Sequence, residues 1–238
     1  MFLRYAAAHE TAPSGPNFRM RAIVTAAVFA SFAISSFARY PIPGPNEPHY
    51  LCKAKHYWDP AWCDRDFFLT SSSAHLIFFQ SFGMLTRCIS LDATAAIGRF
   101  VGLLIFAAGW TFLVHTLVPA RWSPLWAAWT FLAIAAFAGN LSGEWLIGGI
   151  EAKVVAYGLL FAAMACCMKA IYWERSGSLL VAGILVGIAI SFHPVVGIWG
   201  AACAVFASLA VRFFGSRAKE AATDGPGFTT IPETVSVR

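Results

Sequence analysis

Six runs of apolar residues set what this chain can fold into. A bilayer core is about 30 Å thick and a helix rises about 1.5 Å per residue, so one crossing takes roughly 20 apolar residues. The runs are Met20–Ala38, Thr94–Val118, Trp122–Ala138, Val154–Tyr172, Leu179–Phe192 and Val195–Phe214. The fifth is short, and His193-Pro194 separates it from the sixth, which predicts a tight turn at a membrane edge. Only 12% of the 238 residues are charged and 58% are apolar. A soluble domain carries about 25% charged residues. So few charges cannot coat a globule in water, and so much apolar surface excludes disorder as the main state. The expectation is an all-α, polytopic transmembrane bundle of about six spans.

A seventh apolar stretch, Ser73–Ile89, carries Ser, His, Gln and Arg among its Leu, Ile and Phe residues. That pattern predicts a helix lying in the membrane interface, not a span. It belongs to a long segment between the first two spans, residues 39–93. Residues 1–19 form a polar-to-mixed N-terminal segment. The tail, residues 215–238, has few large apolar residues and contains Gly225-Pro226-Gly227, so disorder is expected there. Ser36-Phe37-Ala38 resembles a signal-peptide cleavage site, but the segment before the first run is long for a signal peptide.

Charge gives the orientation. Lys and Arg number 17 and Asp and Glu 12, a net charge of +5. The basic residues are not spread evenly. Arg4, Arg19, Arg21, Arg121, Lys169, Arg175, Arg212, Arg217 and Lys219 all fall on one side if the spans alternate. Basic loops stay cytoplasmic, which places both termini inside. The acids Glu47, Asp59, Asp64, Asp66, Asp92, Glu144 and Glu151 then fall outside. The basic balance therefore reads as membrane orientation, not as a nucleic-acid footprint.

Candidate chemistry lies on the acidic side. The first exterior segment combines acids, His and aromatic rings: Glu47, His49, Tyr50, His56, Trp58, Asp59, Trp62, Asp64 and Asp66. Carboxylates beside stacking rings suit a sugar or a lipid-linked headgroup. Asp64-Arg65-Asp66 can hold a divalent cation against a diphosphate, or supply a general base. Asp66 can equally cap the turn that follows it. Cys52 and Cys63 share this oxidising side, where a disulfide is one outcome. With His49 or His56 they match no standard zinc spacing.

A second exterior segment, Gly139–Lys153, holds Glu144, Glu151 and Lys153 around Gly148-Gly149. The glycine pair predicts a break that lets backbone approach a ligand. Arg99 stands inside the second span, where a charge must face the bundle or water, with Asp92 as a candidate partner. His193 stands at an exterior edge, placed to meet a headgroup or carry a proton. Gly98-x-x-x-Gly102 and Gly183-x-x-x-Gly187 predict close helix contacts. No phosphate-binding glycine loop, dinucleotide fingerprint or His-Glu-x-x-His appears, so those chemistries lack support.

The order of parts resembles the polytopic glycosyltransferases of the GT-C class: one span, a long exterior loop with acids and interfacial helices, then further spans. The resemblance covers about residues 20–214. It implies a bacterial inner-membrane protein that transfers a sugar from a polyprenyl-phosphate donor. In that class an acid-x-acid motif in the first exterior loop supports catalysis, which points to Asp64 and Asp66, with Glu47 as a neighbour for the same duty. Arg99, Glu144, Glu151, Lys153 and His193 would then hold substrate. Members of the class usually have more spans. The alternative is therefore a non-catalytic membrane subunit or a transporter-like half that needs a partner.

Overall fold

The structure, a computed structural model, describes residues 17–44, 46–138, 146–173 and 177–223. Among these it is helical, with no strand. The helices are α1 (Phe18–Arg39), α2 (Glu47–Trp58), α3 (Phe67–Thr70), α4 (Leu76–Gln80), α5 (Leu91–Leu117), α6 (Ser123–Ala138), α7 (Ala152–Trp173), α8 (Gly177–Phe192) and α9 (Pro194–Thr223). A 3-10 helix, Phe82–Arg87, lies between α4 and α5.

Local signals set several boundaries. Asn17 caps α1 by accepting from Met20 N–H at 2.9 Å. Ser90 caps α5 through Ala93 N–H at 3.2 Å. Both satisfy first-turn amides that have no partner within the helix. The predicted turn at His193-Pro194 is present: α8 ends at Phe192 and α9 starts at Pro194. Pro suits a first helical position, since its missing N–H is not needed there.

Among the described residues three helices are long and apolar enough to cross a membrane: Phe18–Arg39, Leu91–Leu117 and Ala152–Ile171. Ser123–Phe137, Gly177–Phe192 and Pro194–Ala210 are apolar but shorter. The outward faces of the bundle carry Phe100, Trp126, Ile134, Leu180, Trp199 and Phe206, each more than half exposed. Large apolar side chains ringing a bundle need an apolar surrounding. The chain is a membrane protein by this measure.

The bundle is built on α5 and α7. α1 lays Val24, Val28, Phe32 and Ser36, one per turn, into the core. The core then gathers Leu103, Phe106 and Ala107 of α5 with Ala128, Ile147 and Val154. α5 and α7 cross closely at Gly109 and Gly158, where a Cβ on Gly109 would run into the Gly158 carbonyl. α8 and α9 pack on α7 through Ala156, Leu160 and Ala189. The glycine motifs behave differently from their prediction. Gly98 and Gly102 form a notch filled mainly by the Ile150 side chain, with Val154 of α7 also in contact at Gly102. Gly183 and Gly187 meet nothing within 4 Å.

Two expectations are corrected. The stretch Ser73–Ile89 is not one helix but α4 followed by the 3-10 turn. Gly83 lies so close to Ala54 that a Cβ there would approach Ala54 Cβ to 2.6 Å, so a tertiary contact with α2 shapes this bend. The tail does not begin at residue 215 as irregular chain: α9 continues to Thr223.

The segment between α1 and α5 folds back as a cap. Leu51 and Ala54 of α2 and Phe78 and Phe79 of α4 pack with Ala95, Ile150 and Ala152. This cap closes one end of the bundle, formed by the C-terminal ends of α1 and α8 and the N-terminal ends of α5, α7 and α9. At the other end Arg121 Nε donates to Met20 Sδ at 3.0 Å, and Arg121 lies over the Trp122 ring.

Candidate functional site at the capped end

Glu47 opens α2 and is fully buried. Its carboxylate takes four donors. Oε1 accepts from Arg99 Nε at 2.6 Å and from Ile150 N–H at 2.7 Å. Oε2 accepts from Arg99 Nη2 at 2.7 Å and from Gly44 N–H at 2.6 Å. Four donors fill the acceptor capacity of a carboxylate. Arg99 completes its own set by donating from Nη1 to Tyr40 O at 3.0 Å and from Nη2 to Pro41 O at 2.6 Å. One paired carboxylate thus ties α1, α2, α5 and the strand of chain before α7.

Glycines make this approach possible. A Cβ on Gly149 would come within 2.8 Å of Glu47 Cγ, and one on Gly44 within 2.9 Å of Arg99 Nη2. The predicted break at Gly148-Gly149 is therefore real, since residues 146–150 are not helical. The group the backbone approaches is Glu47.

Next to this pair, Asn46 Nδ2 donates to Glu151 Oε1 at 3.2 Å. Lys153 Nζ stands 2.9 Å from Glu151 Oε2. Glu151 and Lys153 are both buried. Further along α2, the Tyr50 ring lies 5.2 Å from the His75 ring, and His75 lies 4.7 Å from His193. His75 Nδ1–H donates to Phe192 O at 3.2 Å. His193 Nδ1 accepts from Val196 N–H at 3.2 Å and so caps α9. Burial pushes the His75 imidazole below the ordinary histidine range; the Phe192 hydrogen bond opposes this and nearby Lys53 adds to it.

Of the residues picked from sequence, Glu47, Arg99, Glu151, Lys153 and His193 gather at this end. Arg99 pairs with Glu47 and not with Asp92, which is exposed. Asp64 and Asp66 are both exposed. Asp66 Oδ1 caps α3 through Leu69 N–H at 3.0 Å, the structural role that its position suggests. Glu144 lies outside the described residues. Cys52 and Cys63 are free thiols, so no disulfide closes the loop here. Among the described residues, no three His, Cys, Asp or Glu side chains gather in a way that could hold a metal ion.

Four contributors escaped the sequence reading as site residues: Asn46, Tyr50, Lys53 and His75. The first three recur at helical spacing from the cap residue Asn46 into α2, which is the signal that could have found them. Lys53 is buried and donates to Phe68 O at 3.1 Å, Ser71 Oγ at 2.7 Å and Ser72 O at 3.0 Å. All three ammonium protons are used, so Lys53 fastens α2 to the turn after α3.

Comparison of the chain with protein-family models, curated proteins and solved structures gives no match.

Proposed function

We propose that this protein is a GT-C-like membrane transferase with six spans and both termini inside, and that its capped end faces the exterior. Arg19, Arg21 and Arg121 lie towards the opposite end, which supports that orientation through the positive-inside rule. The substrate class is a sugar on a polyprenyl phosphate. The observation that carries the reading is the buried Glu151–Lys153 pair, joined through Asn46 to the segment that brings Glu47 to Arg99, with the His75–His193 ring pair at the same capped end.

The roles differ from those the acid-x-acid motif implied. Glu47 holds geometry, because its oxygens are already filled. Glu151 is the better general base. It would take the proton of an acceptor hydroxyl while that oxygen attacks the anomeric carbon. The bond from that carbon to the phosphate oxygen breaks, and the lipid phosphate leaves as an anion beside Lys153 and His193. A divalent cation remains compatible with this chemistry.

A second reading is a non-catalytic membrane subunit. Two observations favour it: Glu47 with Arg99 and Glu151 with Lys153 form neutral pairs, and the Gly183–Gly187 face of α8 is open. Retention of a radiolabelled polyprenyl-phosphate sugar by the purified full chain separates the two. The transferase reading expects retention that falls on Lys153→Ala and His193→Ala. No retention by wild type overturns it.

A further inference from the structure

A polar depression outside the residues of the capped-end cluster lies between α2 and the 3-10 helix. It has a volume of about 280 Å³ and is lined by Lys55, Trp58, Asp59, Thr86 and Arg87. Arg87 stands over the Trp58 ring at 5.2 Å, and Lys55 over the Trp62 ring at 5.1 Å. Neither cation has a carboxylate oxygen within 4 Å among the described residues, although Asp59 shares the rim. Trp58 is fixed in place because its Nε1–H donates to Phe79 O at 2.7 Å. Thr86 is likewise held, donating to Gly83 O at 2.6 Å. Two cations and one carboxylate leave the rim net positive.

The position of the depression decides what it would hold. Arg87 ends the 3-10 helix four residues before α5, the longest helix among the described residues that is apolar enough to cross a membrane. Met84 is one 3-10 turn before Arg87, and side chains three apart eclipse in that helix. Met84 is half exposed. By this spacing an apolar side chain shares one face of the turn with a cation that has no carboxylate within 4 Å among the described residues.

We propose that this depression seats the phosphodiester of an anionic lipid headgroup. Lys55 and Arg87 take the phosphate through charge-assisted hydrogen bonds, Asp59 accepts from a headgroup hydroxyl, and Met84 meets the start of an acyl chain. The inference rests on the membrane reading but not on the transferase reading. A hydroxyl-bearing anionic lipid, phosphatidylglycerol, is the matching probe.

The test is native mass spectrometry of the delipidated full chain in detergent, titrated with phosphatidylglycerol, with phosphatidylcholine, or with soluble glycerol 3-phosphate. Wild type should bind one phosphatidylglycerol that a Lys55→Gln/Arg87→Gln variant binds about tenfold more weakly. Lys55→Arg/Arg87→Lys should keep it. If the double glutamine variant loses its helical fold, Arg87→Gln alone, at an exposed position, should still weaken binding. Equal phosphatidylglycerol binding by wild type and the glutamine variants overturns the proposal. So does equal binding of the two lipids by wild type. Displacement of the lipid by glycerol 3-phosphate at equal concentration would assign the site to free phosphate esters and overturn the lipid source.

Discussion

Glu47 and Arg99, 52 residues apart, meet through two hydrogen bonds at 2.6 and 2.7 Å with both side chains fully buried. A buried ion pair is costly to assemble, but removing one member leaves the other charged and unpaired, a loss of about 3–5 kcal/mol. Arg99→Met should therefore lower the melting temperature of the detergent-solubilised protein strongly. Glu47→Gln should do the same, since its amide nitrogen would face a donor. Arg99→Met combined with Glu47→Gln should cost less than the two single losses added together. Additive losses would mean that the pair is not a unit.

The glycines divide into two groups by what surrounds them. Gly158→Ala should destabilise by about 1–3 kcal/mol, because the added methyl meets the α5 backbone near Ile105 and Phe106. Gly149→Ala should do likewise by pushing on Glu47. Gly183→Ala should cost nothing, as its surroundings are open. Thermal unfolding of the three variants under one detergent condition checks the contrast.

The sequence carried the helices and hid their partners. Apolar runs mark spans because every backbone group in lipid must be satisfied within the segment, so a span is a local property. The His193-Pro194 turn and the Gly148-Gly149 break are local too. The Glu47–Arg99 pair is not. Nothing near Arg99 distinguishes Glu47 from Asp92, and only the fold brings α2 over α5. The same holds for Gly98-x-x-x-Gly102: the motif announces a notch, while the fold decides that Ile150 fills it. Asp64-Arg65-Asp66 shows the local side of the same rule: Asp66 caps the turn that follows it, as its position suggests, while Asp64 is exposed.

Acid should loosen the cap. His75 is held below the ordinary histidine value near 6.5, so folding favours its neutral form. Its contribution to stability is complete above that value and is lost as pH falls through the lower folded-state value. Tyr50 and Lys53 on α2 and His193 at the α8–α9 turn face it. The melting temperature should fall between pH 7.5 and pH 5, and His75→Gln should flatten that dependence. An unchanged slope in the variant would assign the acid effect to another group.

The two loop cysteines should differ in reactivity. Cys63 is exposed, while burial pushes the Cys52 thiol up, with Cys63 and Asp66 adding to the shift and Lys55 opposing it. The thiolate is the reactive form. Iodoacetamide at neutral pH should therefore label Cys63 well before Cys52, as read by peptide mass spectrometry. Equal labelling rates would contradict the burial of α2 against the bundle.

The most direct test of the central claim is transfer of label from a radiolabelled polyprenyl-phosphate sugar to acceptor by the reconstituted full chain. The account predicts transfer by wild type, loss on Glu151→Gln, and near wild-type transfer by Asp64→Ala, whose side chain is exposed. No transfer by wild type, or loss on Asp64→Ala with Glu151→Gln still active, would contradict it.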